Sequence, residues 1–222
     1  MLFRSAWVFD NPRDDIAPLL HSNAIVGFDV TQFLNHAPLR TPITLYLMHL
    51  VQQLLDGRRL ICWLDEFWRL LGDPAFAAFA KDGPKTWRKQ NAVMVLATQS
   101  ASDVLQSDIS RTLIEQTPTK VFFPNGEAQG AESSLLGLSE REHRLIQEDM
   151  STAARQFLVR QGSSSVVCAL DLAGLELALA TLSGRTSTVR WLQALRATHG
   201  EALAQWWPVF AERFSASNAK SS

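Results

Sequence analysis

The chain of 222 residues is short of several things, and each shortage closes off a class of protein. It has two cysteines, Cys62 and Cys168, both inside apolar, strand-like runs. They read as buried thiols of a cytosolic protein, not as a disulfide framework. The five histidines, His21, His36, His49, His143 and His199, form no close-spaced ligand set, which argues against a structural metal. No apolar run reaches the roughly 18 residues that span a bilayer, and the opening Met-Leu-Phe-Arg-Ser-Ala-Trp has no signal-peptide core. The formal net charge is −1. No strong basic field therefore points to nucleic acid, and no acidic tail is present. The expectation is a cytoplasmic protein that meets membranes only through partners. The length suffices for one α/β domain with a sizeable core.

What is present is organised around Arg58-Arg59-Leu60-Ile61-Cys62-Trp63-Leu64-Asp65-Glu66-Phe67-Trp68. Five apolar residues in a row, without alternation, suit a strand at about 60–65 buried on both faces of a parallel sheet. Ligands of such sheets bind beyond the carboxyl ends of the strands, which is where Asp65 and Glu66 fall. This is the form of a Walker B strand of a nucleotide hydrolase. Asp65 would hold Mg²⁺ through its water shell, and Glu66 would polarise the water that attacks the terminal phosphate. Against this stands the plain reading that strands often end in carboxylates where the chain re-enters solvent.

Upstream, residues 6–10 and 25–30 read as strands, and Thr31 to Leu39 as an irregular connection. Thr41-Pro42 reads as the start of a helix reaching Leu55 or Asp56, with Gly57 as its stop. Downstream of Glu66, helical segments break at Gly72-Asp73-Pro74 and again at Gly83-Pro84. A basic turn, Lys85 to Asn91, leads into a second uninterrupted strand, Ala92–Thr98. Gln99, at the end of that strand, is placed to sense a terminal phosphate or to orient its water. Thr98 and Ser100 also suit plain capping of the next helix, 102–116.

A strand at 120–123 follows, then helices at about 127–136 and 139–149. Ser139 and Glu142 form a capping box for the second of these. Residues 155–160 and 164–172 read as an antiparallel hairpin turning at Gly162-Ser163, which implies a mixed sheet. Amphipathic helices at 186–199 and 201–214 carry Trp191, Leu192, Leu195, Trp206, Trp207 and Phe210 as a cap on the core. The tail 215–222 is small, polar and expected to be disordered.

A phosphate loop needs Gly-x-x-x-x-Gly-Lys-Ser/Thr, whose amides and lysine cradle the phosphates. The sequence contains none. Gly83-Pro84-Lys85-Thr86 has proline between glycine and lysine and no strand feeding it. Gly184-Arg185-Thr186 has arginine for lysine.

Six motifs in order carry a resemblance. They are Gly27-Phe28-Asp29-Val30-Thr31-Gln32-Phe33-Leu34, Leu64-Asp65-Glu66-Phe67-Trp68, Lys85-Thr86-Trp87-Arg88-Lys89-Gln90-Asn91, Ala97-Thr98-Gln99-Ser100, Ile114-Glu115-Gln116-Thr117-Pro118-Thr119, and Phe157-Leu158-Val159-Arg160-Gln161-Gly162. Together they resemble the C-terminal ATPase domain of the large assembly ATPase of type IV secretion and conjugation systems, the fourth component of the VirB set, with the TrbE and CagE proteins. The resemblance runs from about residue 7 to 210.

It implies an α/β fold: a RecA-like core of the FtsK/HerA type, with a mostly parallel sheet flanked by helices, a C-terminal antiparallel hairpin and a helical cap. Residues 1–214 would be the back half of that domain. It further implies ATP and Mg²⁺ as cofactors, homo-oligomerisation, other secretion-system subunits as partners, and a peripheral place at the bacterial inner membrane. Carried over by position, Asp65 is the Mg²⁺ residue, Glu66 the catalytic carboxylate and Gln99 the sensor. Arg88 is the candidate arginine finger reaching a neighbour's nucleotide, with Lys85 and Lys89 not separated from it by spacing. Glu115-Gln116 lies in a family motif without an assigned role.

The family's phosphate loop lies upstream of all these motifs. The chain is therefore expected to be inactive alone, as an excised piece, a truncated product or one part of a split protein. Two other functions compete. One is a DNA-translocating coupling-type motor of the same superfamily, which the near-neutral charge disfavours. The other is a non-catalytic docking module of the secretion complex, which the missing loop favours.

Overall fold

A computed structural model describes residues 10–218. By backbone contacts the chain falls into two compact units. One comprises the described residues up to Thr152 together with Gln156–Cys168, and the other Ala153–Arg155 with Ala169 onward. The expected strand at 6–10 lies outside the described residues save for Asp10.

The first unit opens with helix α1 (Ile16–Ser22), which the sequence did not suggest. Residues 25–30, expected as a strand, enter no ladder among the described residues, and Ile25 is 93% exposed. An apolar run becomes a strand only when another offers its backbone groups, and among the described residues none does so here. The irregular connection expected next contains a short helix, α2 (Thr31–Leu34).

Helix α3 spans Ala37–Gln53, four residues earlier than Thr41. Pro38 rather than Pro42 occupies the first turn, where a missing N–H costs nothing. Pro42 lies inside the helix. Freed from capping α3, the Thr41 hydroxyl donates instead to the Asp73 carboxylate.

Strand β1 (Leu60–Leu64) and strand β2 (Ala92–Leu96) pair in parallel, with Leu60 opposite Ala92 and Leu64 opposite Leu96. Between them lie α4 (Trp68–Leu71) and α5 (Pro74–Trp87). Asp73 caps α5, accepting from the Ala75 and Phe76 N–H groups at 2.9 and 3.3 Å. The expected break at Gly83-Pro84 does not occur, because α5 runs straight through it. Gly83 is buried against β2, where an added Cβ would stand 2.8 Å from the Met94 methyl. Tertiary packing of the helix on the strand thus overrides two poor helix formers. The Arg88–Gln90 turn continues α5, and Asn91 reverses the chain in left-handed backbone, at φ 61°.

One face of the β1–β2 pair packs inward. Leu64 and Leu96 rest on a core of Met48, Phe67, Leu70, Phe76, Ala80, Val104 and Leu113. The other face is open: Ile61 is 70% and Trp63 68% exposed, and Val93 is exposed beside them. Burial on both faces, expected from the apolar run, is therefore not met. Helices cover only one side among the described residues.

The expected helix 102–116 is two helices, α6 (Ala101–Leu105) and α7 (Ser110–Gln116). Strand β3 (Thr119–Phe122) begins a separate sheet of order β3-β4-β5, with β4 Gln156–Gln161 and β5 Ser164–Ala169. β3 pairs antiparallel to β4, Val121 facing Val159. The hairpin expected between 155 and 172 is thus present, turning at Gly162 with φ 60°. It joins β3 and not the parallel pair, so a single mixed sheet is not formed among the described residues.

Helices α8 (Gly130–Leu135) and α9 (Glu140–Arg144) lie between β3 and β4, with α9 running on into a wider turn, Leu145–Asp149. The Ser139/Glu142 capping box is formed as expected. Leu138, Ile146, Met150 and Leu158 make a small core around it.

The second unit comprises α10 (Glu176–Thr181), α11 (Thr186–His199) and α12 (Leu203–Asn218). Its core is Leu195, Trp206 and Phe210, with Trp191 and Phe210 ring centres 4.5 Å apart. The aromatic residues thus cluster with one another, and α12 continues past residue 214, where the last helix was expected to end.

Candidate active site

Parallel pairing sets the site, because it brings both strands to the same edge pointing the same way. The Ala97 N–H donates to the Leu64 carbonyl at 2.9 Å, one step past the Leu64–Leu96 pair. Asp65-Glu66 and Thr98-Gln99 therefore leave the sheet side by side. The Phe67 N–H reaches back to the Ala97 carbonyl at 3.4 Å, and Phe67 itself is 3% exposed. A buried anchor and a backbone bond thus clamp the turn that carries the two carboxylates.

Glu66 has φ 50°, in the left-handed region that side chains other than glycine, asparagine and aspartate seldom adopt. Its N–H donates to Asp65 Oδ1 at 3.1 Å. Its carboxylate accepts the indole N–H of Trp68. Such backbone outliers cost of the order of 1–3 kcal/mol each and collect at functional sites. Asp65 is exposed and Glu66 half-buried.

Gln99 is exposed at the end of β2. The Thr98 hydroxyl accepts from the Ser100 N–H at 3.1 Å, and Ser100 caps α6 by accepting from the Asp103 N–H at 3.4 Å. Thr98 and Ser100 are thus occupied with capping, while Gln99 projects beyond them.

Arg88 is not part of this cluster. It sits in the turn before β2, with Lys89 beside it and Lys85 one turn earlier, all exposed. Five strand residues at ~3.3 Å each separate the two ends of β2, roughly 16 Å. Arg88 therefore lies at the amino end of the strands and Glu66 beyond the carboxyl end. Of the remaining motif, Glu115 pairs with Arg111 at 3.0 Å in solvent, and the Gln116 Oε1 is buried without a partner.

The residues present suit one half of a Mg²⁺–nucleotide site. Among the described residues no group of three or more His, Cys, Asp or Glu side chains could hold a metal. Mg²⁺ in nucleotide sites takes one or two carboxylates plus phosphates and water. Asp65 can supply such a carboxylate. No lysine-bearing glycine loop is in the sequence to hold the phosphates. An open groove of about 550 Å³ between α3 and α5, lined in part by Met48, His49, Phe79, Asp82 and Trp87, contains none of the site residues. Burial pushes the Cys62 thiol up to about 11, so it is an inert member of β1.

The model of the TraG P-loop domain family matches residues 9–176. The chain belongs to that family. Its fold is therefore that of a P-loop domain. The type IV secretion system protein virB4 of Bartonella henselae is 43% identical over 208 residues, covering 93% of this chain and 26% of that protein. The type IV secretion system protein PtlC of Bordetella pertussis is 41% identical over 207 residues, covering 92% of this chain and 25% of that protein. Among solved structures, VirB4 of Thermoanaerobacter pseudethanolicus matches with a TM-score of 0.47 and 26% identity, over 55% of this chain and 34% of that one. The chain spans about a quarter of the length of the curated relatives it matches. No helix among the described residues is long and apolar enough to cross a membrane.

Trp68 escaped the sequence reading as a site residue. The signal was there: an indole two positions after a carboxylate, across a tight turn, can reach back to it.

Proposed function

We propose that this chain is the Walker B part of a motor ATPase domain that energises a type IV secretion system, driving pilus assembly and substrate transport. The observation that carries this is the side-by-side exit of Asp65-Glu66 and Thr98-Gln99 from two parallel strands, stitched by the Ala97–Leu64 bond. The names and identities of the relatives support the secretion-system setting.

When bound, Mg²⁺–ATP supplies the transferable phosphoryl group and part of the charge that neutralises it. Asp65 would hold the metal through water. Glu66 would accept a hydrogen bond from the attacking water and draw off its proton. Gln99 would orient that water from the neighbouring strand. Arg88 would act on a neighbouring copy's nucleotide, since its own carboxylates lie at the far end of the strands. The phosphates would be cradled by a glycine loop that this sequence does not contain, so the chain alone does not turn over. Homo-oligomerisation, other secretion-system subunits as partners, and a peripheral place at the inner membrane complete the proposal.

The test joins this chain to the P-loop-bearing upstream segment of a relative and measures ATP turnover. Mg²⁺-dependent hydrolysis that Glu66→Gln abolishes is expected. Hydrolysis indifferent to that change overturns the role of Glu66. The missing phosphate loop favours a second reading, a docking module without turnover. Partner binding that survives Asp65→Ala with Glu66→Ala, in a fusion that never hydrolyses ATP, would establish it.

A further inference from the structure

The carboxylate of Glu66 is held by a side chain that is itself held twice over. Trp68 packs on the Met48, Phe67, Leu70 and Phe76 core. The Arg69 guanidinium lies 5.7 Å from its ring centre, within reach of cation–π attraction. Arg69 in turn donates to Asn35 Oδ1 at 3.3 Å, across from α2. The indole N–H points to Glu66 Oε2. An indole is a donor with no acceptor, so it selects an unprotonated oxygen. The backbone adds to this: the Arg69 N–H bonds the Glu66 carbonyl at 3.1 Å, closing the turn on which Glu66 adopts φ 50°.

A glutamate on an exposed turn has three side-chain torsions to fix before it can act on a water. Here a rigid ring rooted in the core takes one carboxylate oxygen and leaves the other for the water. We infer that Trp68 is a positioning residue, setting the orientation of the Glu66 carboxylate without touching substrate. This rests on the reading of Glu66 as the water-activating group. Trp68→Phe keeps an aromatic ring on the core and removes the N–H donor, at the cost of part of the indole's packing.

The experiment has two arms. The first records indole N–H resonances of the chain, which contains seven tryptophans. Trp68→Phe removes and so assigns one of them. Glu66→Ala, which removes the acceptor, is expected to move that resonance and speed its solvent exchange, while Asp65→Ala leaves it in place. A Trp68 resonance indifferent to Glu66→Ala overturns the inference. The second arm measures turnover in the fusion carrying the upstream P-loop segment, with thermal melting as a folding control. Trp68→Phe is expected to lower kcat by about tenfold or more with KM unchanged. Unchanged kcat, where Glu66→Gln abolishes turnover, overturns the positioning role although the bond exists. If Glu66→Gln leaves turnover intact, the reading of Glu66 fails and the role of Trp68 falls with it, a result the Glu66 variant identifies by itself.

Discussion

Ala97 donates its backbone N–H to the Leu64 carbonyl at 2.9 Å, one residue before the chain turns into Asp65. That bond holds the two strand exits at one level, so a carboxylate pair and a glutamine face the same solvent. The chemistry proposed for them rests on that alignment, and it can be tested one side chain at a time.

In the fusion with a relative's P-loop segment, Asp65→Ala should remove the Mg²⁺ dependence of nucleotide binding. Glu66→Gln should leave binding intact and lower kcat by roughly a hundredfold or more, as general-base losses do. Nucleotide titration with and without Mg²⁺, beside single-turnover kinetics, separates the two. Equal loss of binding in both variants would contradict the division of roles.

Arg88 and Glu66 lie at opposite ends of β2, and this predicts a complementation. Arg88→Ala and Glu66→Gln fusions should each be inactive alone. Mixed before assembly, they should recover activity, because some interfaces then pair an intact Glu66 with an intact Arg88. An inactive mixture that nonetheless co-assembles would place Arg88 outside the site altogether.

Glu142 predicts a pH dependence of stability. Burial pushes its carboxyl up, but hydrogen bonds from Ser139 and Ser165, with the Arg160 charge 3.2 Å away, outweigh this and hold it below its ordinary value of 4.5. A group depressed in the folded state stabilises above its unfolded pKa. Its contribution should be full above about pH 5.5 and fade as pH falls through 4.5 and the lower folded value. Glu142→Gln should cost about 1–3 kcal/mol at pH 7 and flatten this part of the profile, as read by urea unfolding across pH 3–7.

Gly83 predicts a size threshold. The atom facing its missing Cβ is the tip of the flexible Met94 side chain, which can swing aside. Gly83→Ala should therefore change stability by less than about 1 kcal/mol, the crowding offset by better helix propensity. Gly83→Leu should destabilise by about 2–3 kcal/mol, because helix and strand must then separate. Thermal melts of the two variants decide it.

What could be read from the sequence were features in which a short stretch determines its own form. β1 and β2 announced themselves as apolar runs ending in polar pairs. The Ser139/Glu142 box and the Gly162 turn follow from local hydrogen bonding and backbone freedom. What could not be read depended on distant neighbours. α5 passes through Gly83-Pro84 because Met94 and the core hold it there. Residues 25–30 have strand composition but, among the described residues, no strand to pair with. Ile61 and Trp63 looked buried because apolar runs usually are, and composition cannot say whether anything covers a face. At the candidate site, the position of Asp65, Glu66 and Gln99 just past two strand ends could be read from the sequence. Trp68 was not, because its role arises from the left-handed turn at Glu66, a conformation the residue type does not favour. The far-end position of Arg88 emerged only with the pairing register.

Parallel strands also give the β1–β2 pair a direction, with carboxylates at one end and Arg88, Lys89 and Arg59 at the other. Two copies can bring Arg88 of one to Glu66 of the next in two ways. Laid antiparallel about a two-fold axis, they satisfy both ends of both copies in one interface, and growth stops at a dimer. Laid head to tail, each junction leaves one unsatisfied end of each kind, and the assembly is a ring if the rotation between copies returns to its start and a helix if it does not.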